Sequence, residues 1–224
     1  MFERFTEEFV LPEAGLCEGG EVRTGGVRDG AGDYGRRHPG ASLGSRLVAG
    51  DAALRDLPPV SQAFLSLGSN LDDRLAYLRA ALVALGRGPS MSLTGTSKVY
   101  ETMPIEVGDE QPDYLNCVAE LECCLPAIEL LRYCQGVESA LGRERKGEKA
   151  PRTVDIDVLL FREEVIVELG LEIPHRGVMR AFNLKGLADL DPNLDIPGRG
   201  RVGDLLAGAD LSGIEELGEV GALC

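Results

Sequence analysis

"QAFLSLGSNLDDRLAYLRAALVAL" runs from Gln62 to Leu85 and sets the architecture. Ala63 to Leu67 reads as a short buried strand, and Gly68 and Ser69 turn the chain. Asn70 is a good N-cap, with Asp73 at the third helical position. Leu71, Leu75, Leu78, Leu82 and Leu85 then line one face of a helix, which Gly86 and Gly88-Pro89 stop.

Downstream of this unit, "MSLTGTSKVYETMP" (91–104) reads as a second strand rich in Thr, Val and Tyr. A polar loop, "IEVGDEQPD", leads to a third strand, "YLNCVAELECCL" (114–125). Pro126 opens a second helix in which Ile128, Leu131, Cys134, Val137 and Leu141 share a face, and Gly142 ends it. After the charged loop "GRERKGEKAPR" comes a fourth strand, "TVDIDVLLF" (153–161). "VIVELGLEIP" (165–174) adds a hairpin-like strand, and "RAFNLKGLADL" (180–190) a last helix. The order β-α-β-β-α-β predicts an α+β fold of ferredoxin-like type: an antiparallel sheet with helices on one face.

Upstream, residues 18–46 are rich in Gly and mixed charge and lack an apolar period. Such a segment buries too little surface to offset its chain entropy, so residues 1–60 are expected to be a low-complexity, disordered extension and 61–224 the folded domain. No strand precedes the glycines and no Gly-Lys-Ser/Thr follows, which argues against a P-loop.

The chain of 224 residues carries 23 Lys and Arg against 37 Asp and Glu, a net charge of −14. That balance disfavours a general nucleic-acid binder. No apolar run is long enough to span a membrane, and "MFERFTEEFV" lacks the apolar core of a signal peptide, so a cytoplasmic protein is expected. The six cysteines show no CxxC spacing and read as reduced thiols.

Side chains alternate along a strand, so Asp155 and Asp157 share a face, their Cα atoms about 6.6 Å apart. Two carboxylates at that distance repel by about 2.5 kcal/mol at an effective dielectric near 20. On strict alternation Leu159 and Phe161 fall on the same face, and Val154, Ile156, Val158 and Leu160 on the other. A cation between the aspartates would offset the repulsion, and hard divalent ions suit all-oxygen donors. The plainer reading is a solvated pair balanced by Arg152. Arg143, Arg145, Lys146, Lys149 and Arg152 lie just upstream. A nucleotide polyphosphate with Mg²⁺ would use both halves of this pattern, although a charged run is also the ordinary look of a solvated loop.

Several separate blocks, in order, resemble one family. They are "LGSNL" (67–71), "YETMP" (100–104), "QPDYLN" (111–116), "GRER" (142–145), "PRTVDIDVLLF" (151–161), "IPH" (173–175) and "RAF" (180–182). Together they resemble 6-hydroxymethyl-7,8-dihydropterin pyrophosphokinase of folate biosynthesis. The resemblance implies transfer of diphosphate from ATP to the pterin hydroxymethyl oxygen, with release of AMP. It implies two Mg²⁺ ions on Asp155 and Asp157, and catalytic roles for Arg143, Arg152, Asp155 and Asp157. An ATP site would draw on Gln135, Glu138, Arg143, Arg145, Arg152, Val158, His175 and Arg180. The pterin would meet Thr102, Pro104, Ile105 and Asn116 at its edge and stack between Tyr114 and Phe182. The implied protein is a cytoplasmic monomer whose partners are ATP and a pterin, without nucleic acid or membrane.

Taken singly, Tyr114 and Phe182 read as core aromatics, His175 as a surface or satisfied histidine, and Gln135 and Glu138 as a solvated helix face. The sequence departs from the family pattern at "KGEKA" (146–150), where an aromatic cover residue is usual, and the chain has no Trp. The acidic loop at 105–113, the compact 175–180 segment and the extension are further departures. Two other functions stay open here: a Mg²⁺-dependent nucleotidyltransferase on a ferredoxin-like sheet, and a pterin- or ATP-binding module without turnover.

Overall fold

The structure, a computed structural model, describes residues 59–104, 111–143 and 151–221. The extension up to residue 58 therefore lies outside the described residues. The first strand, β1 (Ser61–Ser69), is followed by α1 (Arg74–Gly86), β2 (Met91–Thr96), β3 (Lys98–Thr102) and β4 (Tyr114–Cys123). Then come α2 (Ala127–Ala140), β5 (Asp155–Phe161), the hairpin β6 (Ile166–Glu168) and β7 (Leu171–Ile173), and α3 (Ala181–Leu190). The chain closes with β8 (Asp195–Ile196), β9 (Gly200–Arg201), α4 (Val202–Ala207) and β10 (Ile214–Glu219). No described helix is long and apolar enough to cross a membrane.

The main sheet has six strands in the order β10-β3-β4-β1-β5, with β2 also pairing β4, and every pairing in it is antiparallel. The expected α+β sheet is present, but the helices cover both faces rather than one. Against α1 and α2 pack Ala63, Leu65 and Leu67 of β1, with Cys117, Ala119 and Leu121 of β4 and Ile156 and Val158 of β5. On the opposite face Phe64, Val118, Leu159 and Leu160 pack with Leu184 and Leu187 of α3. Alternation of side chains forces this division once both faces are apolar. A Cβ at Gly186 would run into Val118, so the glycine lets α3 sit close on the sheet.

Several local readings are corrected. Asp73, not Asn70, caps α1: its carboxylate accepts the Ala76 N–H at 3.0 Å. The single strand expected over 91–104 is two, because Ser97 leaves the ladder and its hydroxyl accepts the Val118 N–H at 2.8 Å. The buried face of α2 is rotated from the expected one and includes Leu130, Tyr133 and Glu138, while Ile128 and Leu131 are only partly buried. Alternation also breaks in β5. A bulge opposite Phe64 and Leu65 puts Leu159 and Leu160 in the same cluster and turns Phe161 to the α1/α2 face.

Candidate active site

The pairing register gathers the site on the α3 face. Gly68 of β1 lies opposite Asp155 of β5 on one side and Asn116 of β4 on the other, and Asn116 faces Tyr100 of β3. One step along, Ser66 lies between Asp157 and Val118. Two strand spacings place Asp155 about 10 Å from Asn116. Gly68 leaves the space between them open: a Cβ there would stand 3.0 Å from Asn116 Oδ1 and 3.7 Å from Tyr114 Cδ1.

Asp155 and Asp157 do share a face, with 26% and 38% of their side-chain surface exposed, enough to meet a ligand. The positive charge beside Asp155 comes from the chain itself. Arg143 Nη1 is 2.6 Å from its Oδ1, and Arg152 Nη1 donates to its Oδ2 at 2.9 Å. The plainer ion pair with Arg152 is therefore real. Asp157 has a weaker partner, His175 Nε2 at 4.0 Å. The Gly177 N–H donates to His175 Nδ1 at 3.3 Å, which leaves the ring proton on Nε2, toward Asp157. Burial and the neighbouring Asp155 push the Asp157 carboxyl above its usual range, against the pull of His175, Arg180 and Arg143. The 155–157 pair is thus locally short of positive charge on one side only.

Two residues fix Asp155 and its cations from behind. Glu138 is buried, and its Oε1 accepts the Ile156 N–H at 2.7 Å, between the two aspartates. It also holds Arg143 by an ion pair. Burial pushes its carboxyl up to about 7, against the Ile156 hydrogen bond and Arg143. Its place is behind the strand rather than on the solvated helix face that its sequence suggested. Asn70 is fully buried and clasps Arg152: its Oδ1 accepts the Arg152 N–H at 2.8 Å, and its own N–H donates to the Arg152 carbonyl at 3.3 Å. Burial works against the Arg152 charge, but Asp155 and Tyr114 outweigh it and hold the guanidinium above its ordinary value.

Beside this charged corner sits a drier one. Asn116 Nδ2 donates to Thr102 Oγ1 at 2.9 Å, and both residues are buried. Tyr114 and Phe182 are half-buried, at the start of β4 and in the first turn of α3, and Pro104 is half-buried just past β3. Arg180 is exposed at the N-cap of α3. Gln135 is half-buried on α2. Val158 does not join the others, because its side chain is 3% exposed and belongs to the core on the opposite face. Arg145, Ile105, Lys146, Lys149 and the acidic residues of the 105–110 loop lie outside the described residues.

Gly68, Asn70, Ser66 and Asn183 shape the candidate site, whereas the sequence suggested only a turn for Gly68 and a cap for Asn70 and no role for the other two. For Asn183 a signal existed: it is a polar residue on the helix face that carries Leu184 and Leu187. Among the described residues no group of three or more His, Cys, Asp or Glu is arranged to hold a metal ion. Two carboxylates are what Mg²⁺ commonly takes from a protein, with phosphate oxygens and water completing its shell, so the donor set fits that ion.

The family described as 7,8-dihydro-6-hydroxymethylpterin-pyrophosphokinase (HPPK) matches residues 64–192. The 2-amino-4-hydroxy-6-hydroxymethyldihydropteridine pyrophosphokinase of Pseudomonas aeruginosa is 38% identical over 159 residues, 70% of this chain and 98% of that protein. The protein of the same name from Bacillus subtilis is 40% identical over 129 residues, 57% of this chain and 77% of its own length. Among solved structures, Plasmodium falciparum HPPK-DHPS matches with a TM-score of 0.55 at 16% identity. The match covers 69% of this chain but 45% of that one, and it bears on the fold alone.

Proposed function

The chain belongs to the 7,8-dihydro-6-hydroxymethylpterin-pyrophosphokinase family, and from this site we propose how its residues divide the work. The reaction is diphosphate transfer from ATP to the hydroxymethyl group of 6-hydroxymethyl-7,8-dihydropterin, in folate biosynthesis. The hydroxymethyl oxygen bonds to the β-phosphorus and gives up its proton to solvent, the bond from that phosphorus to the α-phosphate oxygen breaks, and AMP leaves with that oxygen.

The observation that carries the assignment is the cross-strand row Asp155–Gly68–Asn116. It places a charged corner and a dry corner about 10 Å apart, across the one position that lacks a side chain. The flat pterin fits over Gly68, its edge read by Asn116 and Thr102, with Pro104 at the rim and its faces on Tyr114 and Phe182; Ile105, outside the described residues, is a further candidate contact. The triphosphate lies toward Asp155 and Asp157. Mg²⁺, as a pair of ions on these two carboxylates, would neutralise phosphate charge that the protein alone cannot.

Arg143 and Arg152 flank Asp155 and present guanidinium forks to phosphate oxygens. His175 and Arg180 approach from the Asp157 side, and Arg145, outside the described residues, is a further candidate for phosphate. Gln135 lies on the helix nearest the nucleotide, and Val158 contributes backbone only. Glu138 holds Arg143 and Ile156 in place rather than touching ATP. The protein is taken as a cytoplasmic monomer without nucleic-acid or membrane partners; its acidity speaks against nucleic acid, and the four free thiols buried among the described residues suit a reducing compartment.

The test is product analysis with ATP, Mg²⁺ and the pterin. AMP should form only when all three are present. Pyrophosphate released without pterin would instead favour a nucleotidyltransferase, and binding of both substrates without turnover would favour a binding module.

A further inference from the structure

The buried pair Ser66–Asn183 is polar inside an otherwise apolar helix–sheet contact. Ser66 is 7% exposed and Asn183 2%, and their neighbours on this face are Phe64, Val118, Leu184 and Leu187. The Ser66 hydroxyl donates to Asn183 Oδ1 at 2.7 Å, and Asn183 Nδ2 donates to the Gly177 carbonyl at 2.9 Å. Polar groups withdrawn from water this way are retained at a cost unless fully bonded, and when bonded they fix one arrangement.

Both ends of this bridge matter. Ser66 lies directly opposite Asp157 in the β1–β5 pairing. Gly177 lies between His175 and Arg180: a Cβ on it would stand 3.2 Å from His175 Nδ1 and 3.5 Å from Arg180 Nε. Its N–H donates to His175 Nδ1, and its carbonyl also accepts the Arg180 N–H at 3.0 Å. The backbone of His175 is itself tied to β5, its N–H donating to the Leu159 carbonyl at 2.9 Å. One residue, Gly177, therefore ties the two basic groups of this turn, His175 through its N–H and Arg180 through its carbonyl, and Asn183 anchors that carbonyl to the strand beside Asp157.

We propose that Asn183 is a positioning residue that locks the 175–180 turn to β1, and so sets His175 and Arg180 at fixed places beside Asp157. The anchor follows from the hydrogen bonds; its consequence for nucleotide rests on the phosphate side of the site being where Proposed function puts it.

The test uses the full chain. In Asn183→Leu, the Gly177 carbonyl and Ser66 hydroxyl lose their partner. In Asn183→Asp, the acceptor for Ser66 remains but the donor to Gly177 is gone. In Ser66→Ala, the tie to Gly177 is kept but the link to β1 is cut. Without ligand, amide hydrogen exchange of residues 176–180 should rise about tenfold or more in both Asn183 variants, the scale of one unmade buried hydrogen bond. Exchange in the β1–β4 ladder should stay as in the parent. Affinity for Mg²⁺ with α,β-methylene-ATP, measured by calorimetry on the folded fraction, should fall about tenfold in the same two variants and by less in Ser66→Ala, which cuts the link to β1 but keeps the one to Gly177. A purely structural asparagine would lower the melting temperature but leave the affinity of the folded protein unchanged. Parental exchange and affinity in Asn183→Asp would overturn the proposal, even if Asn183→Leu fails to fold. Should the parent bind no Mg²⁺-nucleotide while the exchange result holds, the phosphate assignment falls and the anchor stands.

Discussion

On the face covered by α1 and α2, β1 contributes Ala63, Leu65 and Leu67, all fully buried. On the α3 face the same strand contributes Phe64, then Ser66, then Gly68. β4 repeats the gradient from Val118 through Asn116 to Tyr114, and β5 from Leu160 and Leu159 through Asp157 to Asp155. One face is uniformly apolar, and the other passes from core to the proposed reaction surface within about four residues, or roughly 13 Å. The first face should therefore carry stability and the second chemistry, and substitutions on the two should fail in different assays.

The largest effect is expected from the aspartates. Asp157→Asn should cut turnover a thousandfold or more, because charge stabilisation at such sites is worth several kcal/mol and each 1.36 kcal/mol is about tenfold in rate. Its melting temperature without metal should be unchanged or raised, since the native carboxylate is held against burial and Asp155. Asp155→Asn should lose as much activity but also about 1–2 kcal/mol of stability, because it releases two arginines. Repulsion alone suggests that neutralising either aspartate is harmless to the empty fold; the Arg143–Asp155–Arg152 cluster makes them differ. Thermal melts paired with rate measurements decide this, and an Asp157→Asn protein of parental speed would remove the carboxylate pair from the chemistry.

On the apolar face, Leu65→Ala should cost about 2–5 kcal/mol, a fall of several degrees or more in melting temperature. The rate per folded molecule should be nearly unchanged. A rate loss in step with Asp157→Asn would mean that the two faces are not separate.

Phe182→Ala sharpens the division within the α3 face. Pterin affinity should drop by about 1–3 kcal/mol, the value of one stacked ring, while Mg²⁺-nucleotide affinity stays close to parental. Equal losses of both ligands in calorimetry would make Phe182 a packing residue.

The smallest effect is a pH dependence. The Glu138 carboxyl is pushed up to about 7 in the folded protein, above its value in the unfolded chain. The folded state then holds the proton more tightly, so stability is greatest below about pH 4.5 on this account and declines as pH rises through about 7. The decline should be on the order of 1–3 kcal/mol. Urea melts of the parent and of Glu138→Gln from pH 5 to 8 test it: the slope should flatten in the variant, and identical slopes would refute the assignment.

The order of strands and helices, and the facing of Asp155 and Asp157, were legible because they rest on local periodicity. What was not legible depends on partners distant in sequence. The bulge at Leu159 exists only against the register of β1, and it moved Leu160 and Phe161 to faces opposite to those expected. β10, "IEELGE", has little strand character of its own; it pairs β3, and its Glu216 meets Lys98 at 2.6 Å and Lys185 at 3.9 Å. Asn70 looked like a cap because Asn before a leucine-periodic stretch usually is one, and only the fold brings Arg152 to it. Glu138 sits one turn from Gln135 on a helix, and sequence could not show that this side of the helix faces the back of β5.

β1 has no neighbour in the sheet that is near it in sequence: Leu65 faces Ala119 on one side and Val158 on the other. The Asp155–Gly68–Asn116 row thus closes only after two long loops have been brought together, each at an entropic cost that grows with its length. Refolding should then belong to the slow range of such topologies, milliseconds to seconds, and a stopped-flow record complete within microseconds would contradict this. During synthesis, the same wiring means that β5 must leave the ribosome before the row can close.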